Sequence, residues 1–153
     1  MAKSSAGLLM YRFVGKSCEV FLVHPGGPFF AGKDSGSWTI PKGEPDSDED
    51  GLRTAIREFE EETGVEPKGK MIELGSVKQK GGKVVSAWAF KGDCDPQKIK
   101  SNTFTIEWPP KSGKKQEFPE IDRAAWLSLE DAREKINPAQ AEFIERLTSE
   151  LGV

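Results

Sequence analysis

The stretch from Gly43 to Val65 reads GEPDSDEDGLRTAIREFEEETGV, and it decides the fold. Its first residues are acidic and include a proline, which is typical of a loop. From Glu49 to about Thr63 the residues favour a helix, and Gly64 supplies a stop. Placed at 100° per residue, the apolar residues of this helix form one narrow stripe: Leu52, Ala55, Ile56 and Phe59. The sequence therefore predicts a loop followed by an amphipathic helix that packs on a sheet.

Three glutamates of this helix, Glu58, Glu61 and Glu62, form a second stripe roughly 120° from the apolar one. Like charges at this spacing repel each other by about 1 kcal/mol per pair in water, and by more in a partly dry cleft. A solvated acidic face is the usual interpretation of such a run. A divalent cation among the carboxylates is the alternative, because Mg²⁺ prefers oxygen ligands. Arg57, beside this face, is predicted to orient one of the glutamates.

The whole segment resembles the Nudix box, G-x5-E-x7-R-E-U-x-E-E-x-G-U, in which U is a bulky apolar residue. Every specified position is filled by a matching residue: Gly43, Glu49, Arg57, Glu58, Phe59, Glu61, Glu62, Gly64 and Val65. The resemblance implies a metal site for Mg²⁺, with Mn²⁺ as an alternative. The ligands that it implies are Glu58, Glu61, Glu62, Glu49 and the carbonyl of Gly43. It also implies that Arg57 acts in catalysis by orienting the acidic cluster.

The resemblance extends to both sides of the box. Residues 36–43 (GSWTIPKG) are similar to the strand that leads into the box in many relatives, and residues 120–126 (EIDRAAW) are similar to a later segment whose glutamate approaches the site. Over its length the chain resembles bacterial proteins described as predicted nucleotide pyrophosphohydrolases. The resemblance implies that a metal-activated water attacks a phosphorus. It leaves the general base open between Glu120 and Glu58, with Glu117 as a third candidate.

Four basic residues are candidates for substrate binding: Lys42, beside the box, and Arg12, Lys78 and Lys83 on neighbouring strands. The Trp38-x-x-Pro-Lys-Gly entry and the spacing from Glu120 to Trp126 resemble diadenosine tetraphosphate hydrolases. A dinucleoside polyphosphate is therefore the predicted substrate. Nucleoside triphosphates and inositol pyrophosphates are the alternatives within the enzyme class, and a Nudix-fold sensor that binds a nucleotide without cleaving it is the non-enzyme alternative.

A calcium-binding loop is a further alternative, because residues 46–51 (DSDEDG) open like an EF-hand. The pattern then needs a bidentate glutamate where Arg57 stands. The preceding residues 38–41 (WTIP) are also a poor entering helix, so this alternative is disfavoured.

The order of the elements outside the box gives the fold class. Strands are predicted over residues 6–14, 18–24, 38–40, 71–79, 83–90, 103–108 and 124–127. Helices are predicted after Ser128, as the N-cap, and from Pro138 to about Leu151, and the Pro-, Lys- and Gly-rich segment 109–119 is predicted to be a loop. This order indicates an α+β fold, and the resemblance implies a mixed β-sheet sandwich flanked by helices, an α/β/α arrangement. Residues 1–153 are predicted to form one domain.

The composition sets limits on partners and location. Of the 153 residues, 36% are hydrophobic and 31% are charged, which is typical of a globular protein. The net charge of -3 provides no global basic field for nucleic acid, so the predicted partner is a nucleotide or polyphosphate small molecule. No apolar run approaches the ~18 residues of a membrane span, and the N-terminal one is shorter than a signal-peptide core. The cytoplasm is therefore the predicted location.

Three side chains with reactive potential are predicted to be structural. Cys18 and Cys94 are isolated and lie in apolar, strand-like stretches, so they are expected to be buried free thiols. His24 is the sole histidine and precedes Pro25, which favours a structural or loop role. The sequence offers no Ser–His or Cys–His arrangement that would compete with metal-assisted hydrolysis.

Overall fold

The computed structural model describes residues 3–153, so the first two residues of the predicted domain lie outside it. The strands are β1 (Ser4–Val14), β2 (Ser17–Pro25), β3 (Lys42–Gly43), β4 (Ile72–Lys78), β5 (Val84–Lys91), β6 (Thr103–Glu107), β7 (Lys115–Pro119) and β8 (Ile121–Ser128). The α-helices are α1 (Gly51–Thr63), α2 (Leu129–Lys135) and α3 (Ala141–Leu151), and 3-10 turns cover Pro96–Lys98 and Pro138–Gln140. Within the described residues, no helix is long and apolar enough to cross a membrane.

The main sheet has the strand order β4-β5-β1-β2-β8, and β3 pairs with β1 beside this path. The pair β1–β5 is parallel, whereas every other pair is antiparallel, so the sheet is mixed. Helix α1 packs on one face, and α3 covers the other face together with α2. The predicted mixed α/β/α sandwich of the α+β class is confirmed.

Two hydrophobic cores lie on opposite faces of the sheet. The core under α1 contains Ala6, Leu8, Met10, Phe21, Val23, Ala55, Phe59, Phe90 and Ile121. The core under α3 contains, among others, Leu9, Tyr11, Val20, Leu22, Val85, Phe143, Ile144 and Leu147. Successive side chains of a strand point to opposite faces. Because β1 is central and buried on both sides, it has a continuous apolar run instead of an alternating one.

Two of the predicted elements are wrong. Residues 115–119, predicted as part of a loop, form β7, which pairs with β6 in a separate two-stranded sheet. The rings of Phe104 and Phe118 lie 6.0 Å apart on this hairpin and form its apolar contact. The lysines around Phe118 favour a loop in the sequence, so this contact could not be predicted. Residues 38–40 do not form a strand, because they make only isolated bridges to Val23 and Ile136. The strand at this point is β3, which begins two residues after the end of the predicted one.

The three side chains predicted to be structural are tied into the fold. His24 is fully buried, with Nδ1 2.7 Å from Asp122 Oδ1 and Nε2 2.7 Å from the Lys33 carbonyl. It therefore fastens the loop after β2 to β8. Both cysteines are free, and Cys18 is buried as expected. Cys94, however, is half-buried and lies in a loop after β5, where burial raises the pKa of its thiol to about 11.

Gly7 on β1 allows β3 to lie close enough to pair. A Cβ at this position would lie 2.4 Å from the Pro41 carbonyl oxygen and 2.7 Å from Lys42 Cβ, so any side chain would push β3 away. With glycine there, Gly7 pairs with Lys42, and Ala6 pairs with Gly43. The central strand thereby fixes the start of the segment that leads into α1.

Gln140 connects three separate segments through the hydrogen bonds of its side chain. It is fully buried; its Oε1 accepts from Thr39 Oγ1 and from the Ile40 backbone N–H, and its Nε2 donates to Gln79 Oε1. Replacing Gln140 by leucine leaves these groups without partners, so we expect the free energy of unfolding to fall by about 2–4 kcal/mol. Urea denaturation measures the change. The exposed control Gln97→Leu should stay within about 0.5 kcal/mol of the parent protein, and an equally small loss for Gln140→Leu would contradict this role.

Candidate active site

The loop before α1 is clamped to the helix by Glu49. The helix begins after Asp50, whose side chain accepts from the Arg53 N–H at 2.8 Å, and it ends at Gly64, which has φ 76°. Glu49 was predicted as the first helical residue but lies just outside. Its Oε1 accepts from the Asp46 N–H at 3.0 Å and from Thr54 Oγ1 at 2.8 Å. These bonds hold the acidic loop in one conformation against the helix.

Arg57 pairs with four of the acidic residues of the segment, of which Asp46 lies 3.4 Å from its Nε. Its Nε lies 2.9 Å from Glu49 Oε2, and its Nη1 lies 2.9 Å from Glu58 Oε1 and 3.2 Å from Glu61 Oε2. Its Nη2 also donates to the Glu44 carbonyl. The guanidinium is the main reason that the pKa of Glu49 falls to about 2, and the same contacts raise the pKa of Arg57. Arg57 thus gathers the carboxylates that would otherwise repel each other.

Gly43 lies directly against the carboxylate of Glu58. A Cβ on Gly43 would stand 2.0 Å from Glu58 Cδ and 2.2 Å from its Oε2. The side chain of Glu58 is 17% exposed, and burial raises its pKa despite the contact with Arg57. The backbone of the loop and the first glutamate of the acidic stripe therefore share one site, which only glycine permits.

Glu62 has one carboxylate oxygen that no hydrogen bond stabilises. Its Oε2 is buried and has no hydrogen-bond partner. Burial, followed by the charges of Glu58 and Glu120, raises the pKa of Glu62 to about 8. A buried carboxylate without a partner is costly, and a divalent cation bound at its free oxygen would stabilise the ionised form. The donor set thus fits a metal that prefers oxygen ligands.

A small cavity of about 160 Å³ joins Glu62 to Glu120 and Lys42. Glu120 follows β7, and its backbone is held by bonds from its N–H to the Asn102 carbonyl and from the Gly26 N–H to its own carbonyl. Burial and the nearby ammonium of Lys83 lower the pKa of Lys42 to about 8. The cavity is therefore lined by two acids and one ammonium group, with the ammonium of Lys83 beside Lys42, an arrangement suited to an anionic substrate held beside a metal.

The acidic side chains are not assembled around a single point in this conformation. Within residues 3–153, no three carboxylate, imidazole or thiol groups lie in a ready metal-binding arrangement. Glu58 and Glu61 both turn toward Arg57, and Glu61 is 43% exposed. Glu58 and Glu61 would have to turn away from Arg57 before they and Glu62 could bind one ion.

The raised pKa of Glu62 makes both stability and metal binding depend on pH. Its folded pKa of about 8 exceeds the ordinary 4.5, so the metal-free folded protein keeps a proton that the unfolded chain loses above pH 4.5. This group therefore lowers stability progressively as pH rises from about 4.5 to about 8. A carboxylate must lose its proton to bind a cation. We therefore expect Mg²⁺ binding at pH 7 to release about one proton, measured calorimetrically in buffers of different ionisation enthalpy.

Glu60 provides the control for this experiment, because it is an exposed glutamate of the same helix and is outside the Nudix pattern. Glu60→Gln should leave the proton release unchanged, and Glu62→Gln should abolish most of it. A heat of binding that is independent of the buffer in the parent protein would contradict the prediction.

The structure does not bring all the predicted substrate-binding residues together. Lys42 lines the small cavity, and Lys83 lies beside Lys42. Lys78 lies on the edge strand β4, opposite Val84 of β5. Arg12 is five residues along β1 from Gly7, roughly 17 Å at strand spacing.

Arg12 is also occupied by other contacts. Its guanidinium pairs with Glu19 and Asp93 at 2.8 Å and lies 4.3 Å above the ring of Trp126. It therefore stabilises the far end of the sheet in this conformation.

A second cavity has a volume of about 470 Å³, and it was not predicted from the sequence. Lys42 lines it from one side, and Gln79, Lys33 and Phe30 line it from others. Gln79 directly follows β4 and is separated by 61 positions from Gln140, to which it is hydrogen-bonded. Isolated glutamines this far apart carry no pattern that a sequence can reveal.

Comparison with known proteins agrees with this geometry. A family model described as NUDIX domain matches residues 1–147. The chain belongs to the Nudix family. The match confirms the predicted family and the predicted class of Nudix hydrolase, and Nudix hydrolases generally use divalent metals.

Solved Nudix structures share the fold over nearly the whole chain. The Ap4A hydrolase of Caenorhabditis elegans, as a binary complex, is 23% identical with a TM-score of 0.68, and the alignment covers 99% of this chain and 98% of that one. The NUDIX domain of Shewanella oneidensis NrtR, complexed with ADP ribose, is 17% identical with a TM-score of 0.67, and covers 99% of this chain and 89% of that one. Identities this low establish the fold alone.

A curated relative matches over a short segment. The mRNA-decapping protein g5R of African swine fever virus is 63% identical over 35 residues, which is 22% of this Nudix chain and 14% of the viral protein. The similarity therefore covers a small part of that protein and leaves its activity a property of the relative.

Proposed function

We propose that this Nudix hydrolase cleaves a phosphoanhydride bond of a dinucleoside polyphosphate, such as diadenosine tetraphosphate, with Mg²⁺ as the metal. The observation that carries the proposal is the small cavity shared by Glu62, Glu120 and Lys42. It places a buried carboxylate with a free oxygen and an exposed acid next to an ammonium group. Metal-assisted attack of water on an anionic phosphate needs these three kinds of group.

Each residue of the box has a defined part in the proposed reaction. The metal ligands are Glu58, Glu61 and Glu62, supported by Glu49 and the carbonyl of Gly43. A bound Mg²⁺ or Mn²⁺ supplies a water of lowered pKa and neutralises charge on the phosphoryl oxygens. Arg57 holds the carboxylates in place, and its substitution would release them.

Glu120 is the proposed general base, because it is the exposed acid that lines the cavity together with Glu62 and Lys42. A base in this position takes the proton of the attacking water. Glu58 is the second candidate, although its carboxylate is already engaged by Arg57. Lys42 and Lys83 would neutralise the phosphate that leaves, while Lys78 and Arg12 stay predictions without a contact to the site.

The choice of substrate class rests on resemblance. The match to the Ap4A hydrolase of C. elegans extends over both chains, and the Glu120 to Trp126 spacing adds to it. Nucleoside triphosphates and inositol pyrophosphates are the alternatives. The partner is thus proposed to be a nucleotide or polyphosphate small molecule, and the absence of nucleic-acid and membrane partners and the cytoplasmic location stay predictions.

A hydrolysis screen tests the proposal. The protein is incubated with Mg²⁺, with and without chelator, and with dinucleoside polyphosphates, nucleoside triphosphates, inositol pyrophosphates and a capped RNA fragment. Products are resolved by chromatography. We expect chelator-sensitive cleavage of diadenosine tetraphosphate into ATP and AMP.

Two other outcomes would change the interpretation. Faster cleavage of another substrate would keep the hydrolase and replace the substrate. Nucleotide binding without turnover of any compound would favour the sensor alternative, because the chain would then bind but not activate water.

A further inference from the structure

The second cavity adjoins the smaller cavity of the acidic cluster at Lys42. It has a volume of about 470 Å³, and Lys42, Pro25 and Thr39 line both it and the smaller cavity that contains Glu62 and Glu120. A substrate held at the acidic cluster can therefore extend past Lys42 into the larger cavity. The part of the substrate beyond the cleaved bond is the natural occupant of this space.

The hydrogen-bond network fixes which groups Gln79 presents to this cavity. The backbone N–H of Ile40 can only donate, so the atom of Gln140 that contacts it at 3.1 Å must be the carbonyl oxygen Oε1. The other end of Gln140 is then Nε2, and it donates to Gln79 Oε1 at 3.0 Å. Gln79 therefore turns its oxygen toward Gln140 and keeps its amide N–H donors for the cavity.

The opposite wall of the cavity is held rigidly by contacts outside it. His24 Nε2 binds the Lys33 carbonyl at 2.7 Å, which fastens the backbone that carries the Lys33 side chain. Asp34, the acid of this wall, has one oxygen bonded to Trp38 Nε1 and the other paired with Lys135. Its negative charge is thus already compensated by partners. A wall fixed in this way is preorganised for a ligand.

The remaining charged and amide side chains that line the cavity present donors to it. Lys33 and Lys42 provide ammonium groups, Gln79 provides its amide N–H groups, and Asn137 uses its Oδ1 to accept from the Ala139 N–H, which leaves its own amide N–H groups. A surface of donors with positive charge is complementary to an acceptor-rich anion. A neutral sugar would leave much of this charge without a partner.

We propose that this cavity is a subsite for a phosphoryl group of the substrate beyond the one that is attacked. Gln79 is the specificity-determining residue of the subsite, and Gln140 positions it. The inference rests on the proposed function in that the acidic cluster is taken as the place of cleavage. It adds that substrates with a further phosphoryl group next to the cleaved anhydride are preferred to nucleoside diphosphates linked only to a sugar.

Inorganic tripolyphosphate is the probe, and its binding is measured by calorimetry in chelator so that no metal contributes. Gln79→Glu is the sharpest variant, because a glutamate oxygen still accepts from Gln140 Nε2 while the donors facing the cavity are lost and a negative charge is gained. Gln79→Leu removes the donors without adding charge. Gln97→Glu is the matched control, since it makes the same charge change at an exposed position outside this cavity.

We expect the dissociation constant of tripolyphosphate to rise about tenfold or more in Gln79→Glu and about threefold to tenfold in Gln79→Leu, because hydrogen bonds to charged groups are the strong ones. Gln97→Glu should stay within about twofold of the parent protein. Equal binding by all four proteins, or no binding by the parent protein at millimolar concentration, would overturn the subsite.

The experiments distinguish failure of the proposed hydrolase function from failure of the proposed subsite. If tripolyphosphate binding depends on Gln79 but no substrate of the hydrolysis screen is cleaved, the proposed function is wrong and the cavity stands as a phosphate-binding site. If diadenosine tetraphosphate is cleaved with Mg²⁺ but Gln79→Glu binds tripolyphosphate normally, the hydrolase stands and the subsite is wrong.

Discussion

Glu62→Gln is expected to reduce the kcat of metal-dependent hydrolysis by at least about 100-fold while the protein stays folded. Glutamine matches the shape of a protonated glutamate but supplies no negative charge to a cation. A metal ion that binds the phosphoryl oxygens can contribute several kcal/mol to the transition state, and each 1.36 kcal/mol corresponds to a factor of ten in rate. Since the pKa of Glu62 is about 8 in the metal-free protein, glutamine resembles the form that is already present at pH 7. Stability without metal should therefore change little.

Steady-state kinetics with saturating Mg²⁺, together with urea denaturation in chelator, measure the two parts of this prediction. Glu60→Gln is the control on the same helix and should retain full activity, because Glu60 is exposed and is not in the acidic stripe. Glu61→Gln is expected to lose activity as well. Near-normal turnover by both Glu61→Gln and Glu62→Gln would contradict the assignment of Glu61 and Glu62 as metal ligands.

The helix of the box could be predicted closely because its signals are local. The apolar stripe, the stop at Gly64 and the acidic stripe all depend on residues within one helix, and the observed helix begins two residues after the predicted start at Glu49. The difference arises because the side chain of Glu49 binds Thr54 and Arg57, so the residue clamps the helix end from outside. The role of Asp50 as N-cap was therefore missed.

Features built from distant segments could not be predicted in this way. The strand β7 is rich in charge and lies among Lys, Gly and Pro residues, and only its pairing with β6 makes Phe118 part of an apolar contact. The cavity beside Lys42 depends on Gln140, which contacts a loop 100 positions earlier in the chain. Single polar residues at such separations have no periodicity, so only the folded structure brings them together.

Some charged residues chosen from the sequence lie at the site, whereas Arg12 is held elsewhere by residues that are distant in the sequence. The sequence pattern selected Lys42 and Glu120, and both lie at the small cavity. It also selected Arg12, whose charge is used by Glu19 and Asp93 at the far end of the sheet. Charge alone does not determine where a side chain points along a strand, because the partners that fix it come from other strands and loops.

Gly43→Ala is expected to reduce kcat/KM by about 100-fold, because the added methyl group occupies the position of a carboxylate. Its Cβ would lie 2.0 Å from Glu58 Cδ, so the side chain of Glu58 or the backbone of β3 must move by an ångström or more. A displacement of about 1 Å at a catalytic group costs about a hundredfold in rate. Overpacking of this kind also destabilises a protein by about 1–3 kcal/mol.

Two comparisons separate this local collision from a general effect of alanine. Gly32→Ala, at a position where a Cβ meets nothing within 4 Å, should leave both activity and stability unchanged. In a Glu58→Ala background the carboxylate is absent, so Gly43→Ala should cost much less stability than in the parent protein, and a double-mutant cycle by urea denaturation measures the difference. If the two substitutions add without interaction, Gly43 and Glu58 do not share one site, and the arrangement of the loop against the acidic stripe is wrong.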